Sequence, residues 1–560
     1  MRPQLTDAPG RLARNAQLRL SQSLGTVKLR IVDLGLRAGW RLDSWKRPDR
    51  AQAIRLLRSA YRYLAARPLM LILASALALR IYRIDLVGFN SDEAVYAGQA
   101  AAIANDTVLK QFFPIFRAHP LLFQFLLALV FQGGVDPVLA RLTAAAVGVV
   151  NVLLVYRLGS ELYGRRVGLL SALILSLMPY HVVVNRQVLL DGPMTLCATL
   201  ALLLTARFAS SHNPRWLYAA GAGMGLTFLA KEIGFVLLGA IYAFLALSPE
   251  IRVKLRHLAV SAVAMSAVIA PFPLSLALAG GATAGRHYLV WQLFRRPNHE
   301  WSFYPTTVPF AIGPVVIVAA LLGIWLLRRE RSWKEKLLLL WIAVPIVFFQ
   351  IWPVKGFQYL LPIAPPMAIL AGRSLARTFA VPDLKLPRWR PGSLPIGPLA
   401  TGIMALSLLI PSLRSISPSA SGSFLAGSGG VPAGREAGEW VNRNIPEGST
   451  LMTIGPSMAN LIQFYGHRRA YGLSVSPNPL HRNPSYDPVP NPDFSIRSGD
   501  IQYLVWDAFS AGRSSFFSEK LLSYMRRYNG RVIHAESIAV TGPDGGRSLK
   551  PVIVIYAVRP

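Results

Sequence analysis

The sixteen residues HPLLFQFLLALVFQGG, His119 to Gly134, decide how this chain sits in a membrane. They are apolar, but they open on His-Pro, close on Gly-Gly and fall short of the ~20 residues a spanning helix needs. Whether they cross follows from the charges around them. Eleven further apolar stretches lie near 69–84, 138–156, 167–183, 191–206, 216–230, 233–248, 258–279, 308–327, 337–352, 357–372 and 395–413. Among these, the segments 157–166, 207–215, 250–257, 328–336 and 373–390 carry net charges of +2, +2, +2, +3 and +4. Residues 1–67 add fifteen basic and four acidic side chains. The positive-inside rule puts all six regions in the cytoplasm. Residues 67 and 157 are then on one side, so an even number of crossings separates them. Three stretches are available, and 119–134 is the one that stays behind, as a membrane-plane or re-entrant helix on the outer side. Eleven spans remain, with the N-terminus cytoplasmic and the C-terminus outside.

The composition fits that reading. Of 560 residues, 53% are hydrophobic and 15% charged, and the mean hydropathy is +0.39. Such a chain is neither disordered nor an ordinary soluble enzyme. Its net charge of +32 is mostly an orientation signal and calls for no nucleic-acid partner. The single cysteine, Cys197, excludes an intramolecular disulfide and a cysteine-based zinc cluster. Residues 1–67 form a basic cytoplasmic extension. Within it, 51–66 places Ile54, Leu57, Tyr61 and Leu64 at helical spacing with arginines between them, a basic amphipathic helix for an anionic membrane surface. Residues 68–413 form the transmembrane domain, in which Arg80 and Arg83 can snorkel from the end of the first span. Residues 414–429 form a Ser/Gly/Pro linker. From 430 to 560, strand-like runs at 450–454, 501–506, 531–538 and 551–558 alternate with helix-like segments, predicting an extracytoplasmic α/β domain. The expected fold class is mainly α: a polytopic plasma-membrane protein of about eleven transmembrane helices, in-plane outer helices and a C-terminal α/β domain.

Few ionisable groups fall in the predicted outer loops. Asp92 and Glu93 open an expected helix over 93–104 that Asn90 or Ser91 can cap. Capping and helix-dipole stabilisation alone would account for the pair equally well. Arg186 and Asp191 flank a second outer turn, and Lys231-Glu232, a natural ion pair, a third. Arg295 and Arg296 share the loop 280–307 with His299, Glu300 and several aromatic residues that would serve as an interfacial belt. Lys355 and Tyr359 lie before the tenth span. Acids and cations thus gather at one membrane face, where ionisable groups are costly. A carboxylate beside several cations suits transfer from a lipid-phosphate donor. The carboxylate takes a proton from an acceptor hydroxyl, and the cations neutralise the departing phosphate.

The order of these features resembles the GT-C glycosyltransferases, especially the branch of the protein O-mannosyltransferases and the aminoarabinose transferases of lipid A. Asp92-Glu93 resembles the family's acidic motif in the first outer loop. His119-Pro120-Leu121 stands where the family has Pro-Pro-Leu. Leu162–Leu169 resembles its short basic inner turn. Arg186–Pro193 resembles its Arg–Leu-Leu-Asp-Pro-like stretch, with Gly192 inserted. Gly225–Lys231 resembles Gly-Leu-x-x-x-x-Lys, with Glu232 replacing the usual glycine. Lys355–Pro366 resembles Arg-Tyr-Leu-Leu-Pro-x-x-Pro, with Gln358 where arginine is common. The resemblance runs over residues 68–375.

It implies the GT-C fold and an inverting transfer of one sugar from a polyprenyl-phosphate donor to an extracytoplasmic acceptor (glycan, lipid or protein). Asp92 would be the general base, Glu93 its orienting partner, and Asp191 a ligand for sugar hydroxyls or a support for a cation. Arg186 and Lys231 would hold the donor phosphate, with Arg295, Arg296 and Lys355 as further contacts. His119, Tyr96 and Tyr359 are other site candidates. If a divalent cation takes part, Mg²⁺ or Mn²⁺ at Asp92 or Asp191 is the expected form. The rivals are a lipid-linked sugar transporter or flippase, an oligosaccharide-transferring relative, and a scaffold that binds cell-wall polymer. A transporter would carry its charges at mid-membrane in repeated halves, and no repeat is visible.

Overall fold

The computed structural model describes residues 67–115, 119–280, 287–327, 332–382, 384–385, 393–417, 430–541 and 547–559, apart from 289, 293, 296 and 484. The expected amphipathic helix over 51–66, most of the 414–429 linker and Arg296 lie outside them.

All eleven stretches expected to span are helical. The first is α1, Pro68–Ile81. After it, α2 (Ser91–Ile103) starts on a reciprocal cap between Asn90 and Glu93. The deciding stretch forms a nine-residue helix, α3 (Leu122–Val130), and one 3₁₀ turn that ends at Gly134, whose φ of +113° suits glycine. Twelve residues of helix rise ~18 Å, well short of a ~30 Å hydrocarbon core. Asp136 then caps α4 (Pro137–Tyr163), with Pro137 in the first turn, and Gly164 at φ +89° closes it. Next come α5 (Arg165–Leu177), α6 (Pro179–Val184), α7 (Asp191–Ser211) and α8 (Pro214–Ala230), the last capped by Asn213. Later come α9 (Trp333–Ile351), α10 (Ala364–Thr378) and α11 (Ile396–Ser415).

By length and apolarity alone, four described helices are fit to cross a membrane: α4, α7, Leu255–Leu278 and α11. Phe303–Ile312 and Pro314–Trp325 would make a fifth if the two, bent by 91°, are one span. The break falls at Gly313, φ +103°. Prolines interrupt other helices, as Pro179 does between α5 and α6.

Arg80 does not snorkel. Its side chain is fully buried among α1, α4 and α6, with Nη2 2.6 Å from His181 Nδ1, while His181 Nε2 lies 3.1 Å from Asn151. Hydrogen bonds within the bundle hold the cation in place of interfacial water.

Past the bundle, α12 (Gly434–Asn444) leads into a five-stranded mixed sheet. Its strands are β1 (Thr450–Thr453), β2 (Arg469–Gly472), β3 (Tyr503–Asp507), β4 (Arg531–Thr541) and β5 (Arg547–Ala557), in the order β2-β1-β3-β5-β4. β1 pairs parallel with β2 and β3, and the β3–β5 and β5–β4 pairs are antiparallel. Alternation divides the sheet between two cores. Leu451, Val505, Ile553 and Ile555 belong to the same hydrophobic cluster as the bundle, whereas Met452 and Leu504 pack with Leu521 of α15 (Ser515–Arg527). The segment from α13 (Pro456–Leu461) to Gly466 docks on the start of α2. Asn460 donates to Ser91 Oγ at 2.9 Å, and the Phe89 N–H donates to the Tyr465 hydroxyl at 2.9 Å. These contacts fix the sheet, and with it α14 (Ala508–Arg513), against that end of the bundle.

Candidate active site

The cap at Asn90 sets the direction of two neighbouring carboxylates. Glu93 turns inward and is 1% exposed. Arg141 of α4 grips it with both arms, Nε to Oε1 at 2.8 Å and Nη2 to Oε2 at 2.7 Å, and the Val188 N–H donates to Oε1 at 3.0 Å. Arg141 also donates to the carbonyls of Ile84, Val87 and Gly88, fastening the α1–α2 connection to α4. Glu93 is thus part of the framework beneath α2. Asp92 is half-buried and lines a cavity of about 590 Å³, and Tyr96, one turn on, adds to the same wall.

Three of the expected cations share that cavity. Lys231, just past α8, places Nζ 2.9 Å from both oxygens of Asp191 and 4.8 Å from the centre of the Tyr359 ring. Asp191 is 2% exposed at the start of α7 and does not line the cavity itself; it holds the ammonium that does. The Lys355 ammonium donates to the carbonyls of Gln350 and Trp352 at 2.9 and 3.2 Å and lies 5.3 Å from the Trp301 ring. The Arg295 guanidinium stacks 4.5 Å from the Trp291 ring. Such positive charges lining one cavity with the Asp92 carboxylate are equipped to receive a phosphate.

One expected cation stands elsewhere. Arg186 donates to the carbonyls of Tyr82 and Arg83 at 2.8 and 3.2 Å, away from the cavity, and forms no ion pair with Asp191. Arg296 lies outside the described residues. Nor do Lys231 and Glu232 pair with each other. Glu232 Oε2 lies 2.8 Å from His119 Nδ1, and its Oε1 accepts from the Tyr288 hydroxyl at 3.1 Å. Among the described residues no three His, Cys, Asp or Glu side chains gather as a metal site.

The sequence reading missed Arg141 and the whole contribution of the C-terminal part. Arg141 did leave a signal, an arginine inside an apolar helix, where a charge requires a partner. Arg513, at the end of α14, and the loop residues Asn483 and Tyr486 also line the cavity. Burial holds the Arg513 guanidinium below its usual basicity, and the Asp92 charge opposes that shift. No local pattern marks these three; only the docking of the sheet brings them there. A second, polar cleft of about 260 Å³ runs between 111–114 and the sheet, includes Arg469 and Tyr471, and shares Tyr486 with the first.

A helical bundle whose charged cavity lies under a C-terminal mixed sheet is the GT-C type of fold, which this chain shares with solved structures. The fold matches ArnT from Cupriavidus metallidurans with a TM-score of 0.64 at 16% identity, covering 89% of this chain and 98% of that one. The same protein bound to undecaprenyl phosphate matches at 0.62 and 16% identity, covering 87% and 97%. The oligosaccharyltransferase AglB from Archaeoglobus fulgidus, in complex with an inhibitory peptide and a dolichol-phosphate, matches at 0.54 and 14% identity, covering 88% and 74%.

In sequence, residues 118–275 match the family model of dolichyl-phosphate-mannose-protein mannosyltransferases. A curated relative, the undecaprenyl phosphate-alpha-4-amino-4-deoxy-L-arabinose arabinosyl transferase of Enterobacter sp. (strain 638), is 33% identical over 140 residues. That stretch is 22% of this chain and spans only about a quarter, 24%, of the relative.

Proposed function

We propose that the protein transfers a single sugar from a polyprenyl-phosphate donor to an acceptor hydroxyl on the extracytoplasmic side of the plasma membrane, with inversion. One observation carries this reading: the Asp92 carboxylate lines the same cavity as the side chains of Lys231, Lys355 and Arg295. The donor phosphate lies among those cations, with its lipid tail between helices. Asp92 takes the proton of the acceptor hydroxyl as that oxygen bonds to the anomeric carbon. The anomeric carbon–phosphate oxygen bond breaks, and the electron pair leaves with the polyprenyl phosphate. The cations offset the charge gained by the phosphate, a contribution largest in a site that excludes water. Asp191 serves by holding Lys231. The undecaprenyl phosphate bound to ArnT and the dolichol-phosphate bound to AglB support a lipid-phosphate carrier. The loop charges support an extracytoplasmic position for this end of the bundle.

The test is label transfer by the purified protein from a panel of polyprenyl-phosphate sugars to envelope acceptors. Wild type transfers label from one of them, and Asp92→Asn, equally well expressed, does not. Near-wild-type transfer by Asp92→Asn removes the base from this scheme.

A further inference from the structure

Besides the inserted Gly192, three residues replace another in the motifs this chain resembles: His119 for proline, Glu232 for glycine and Gln358 for arginine. They are far apart in sequence, yet all three line the same cavity, and two of them are partners. Both oxygens of Glu232 are engaged, Oε2 with His119 Nδ1 at 2.8 Å and Oε1 with the Tyr288 hydroxyl at 3.1 Å. The carboxylate therefore does not itself reach for a ligand. In the neutral ring it favours the tautomer that carries its hydrogen on Nδ1, which leaves Nε2 as a lone-pair acceptor. Nε2 has no hydrogen-bond partner among the described residues, and the His119 side chain is 22% exposed. The rings of Tyr96 and Tyr288 stand edge-on to the imidazole at 6.0 and 5.6 Å.

A fixed hydrogen-bond acceptor between aromatic rings suits a sugar, which alternates hydroxyls with apolar C–H faces. Position favours the donor sugar over the acceptor. Glu232 follows Lys231 directly in the chain, and the sugar is one bond from the phosphate that Lys231 faces in the scheme above. We propose that His119, positioned by Glu232, is a specificity-determining residue that accepts a hydrogen bond from one hydroxyl of the donor sugar. This rests on the lipid-phosphate-sugar reading of the cavity.

The experiment uses the full chain in nanodiscs, carrying Asp92→Asn so that donor is bound without turnover. The probes are undecaprenyl-phosphate sugars, their monodeoxy analogues and bare undecaprenyl phosphate. One deoxy analogue should bind about 10- to 100-fold more weakly than its parent, because it leaves a cavity acceptor unpaired. Added His119→Ala should bring that one ratio to within about threefold of unity, while the other deoxy ratios and the affinity for bare carrier stay as they were. His119→Gln, which keeps an acceptor, should restore part of the discrimination, and Glu232→Gln should lose part of it. An unchanged ratio in His119→Ala overturns the proposal. So does a fall in bare-carrier affinity equal to the fall for the sugar, which would mark a structural role. So does a protein that binds no sugar-carrying lipid more tightly than the bare carrier. Persistent transfer by the Asp92→Asn protein would remove the base assignment alone, because the binding ratios do not depend on it.

Discussion

Asp92 and Glu93 are adjacent in sequence, share the first turn of α2 and carry the same functional group, yet their surroundings differ completely. Glu93 is buried against a two-armed arginine and two backbone N–H groups. Asp92 opens onto the cavity, facing the charge of Arg513 from the far end of the chain. The difference teaches that position in a motif does not assign a role. A carboxylate with a full set of internal donors fastens the fold, and the neighbour it steadies lines the cavity.

The comparison breaks if the two exchange effects. Asp92→Asn should lower transfer by about 10²- to 10⁴-fold, the usual weight of a positioned general base, without moving the unfolding temperature. Glu93→Gln should do the reverse. It leaves the Arg141 guanidinium buried without its counter-charge, at a cost of about 3–5 kcal/mol, and activity should fall only in proportion to folded protein. Adding Arg141→Met should recover part of that stability, read by thermal unfolding in detergent. A Glu93→Gln protein that is fully folded and inactive would return Glu93 to the chemistry.

The sequence made this pair visible but not the division between its members. Loop charges and apolar lengths were enough for the helical bundle and for the shortness of α3, because both follow from solvent on a coarse scale. Strand-like runs placed four of the five strands. The missing one, β2, is the four-residue stretch Arg-Ala-Tyr-Gly, with no periodicity long enough to read. Partners were less legible. The acid nearest Lys231 in sequence is Glu232, and the acid it meets is Asp191, because the turn after α8 aims the ammonium at the N-terminus of α7. Arg186 looked equally suited to a phosphate and is spent on two backbone carbonyls. Arg513 needed the docking of a whole sheet.

Smaller effects sharpen the same contrast. Lys231→Ala should weaken binding of bare undecaprenyl phosphate about tenfold or more, the loss of one charge-assisted contact. Asp191→Asn should give a milder version, since it only holds that ammonium. Equal affinities in wild type and Lys231→Ala would move the phosphate elsewhere in the cavity. Arg513→Ala should raise the KM for acceptor about tenfold and leave bare-carrier affinity alone, consistent with a residue supplied from the sheet side. A change in carrier affinity instead would attach Arg513 to the donor.

Asp507 supplies a third carboxylate environment, one that is fully buried and incompletely paired. At the end of β3 it caps α14, accepting from the Ser510 N–H at 2.7 Å through Oδ1, and Oδ2 has no hydrogen-bond partner among the described residues. Burial pushes its carboxyl up from 3.8 to about 6. The folded form then binds the proton more tightly than the unfolded form. Stability is therefore greatest below pH 4 as far as this group is concerned, and it declines as pH rises from about 4 to about 6, by up to about 3 kcal/mol. Asp507→Asn removes the charge but puts an amide N–H where Oδ2 was, at a cost of about 1–2 kcal/mol. Near pH 7.5 the variant should still gain about 1 kcal/mol in the local opening of 503–513, read by hydrogen exchange on the intact protein. Near pH 4.5 the gain should vanish or reverse. A difference that stays constant between those pH values would mean that the carboxylate is ionised at an ordinary pKa and that the cap beneath Arg513 carries no buried-charge penalty.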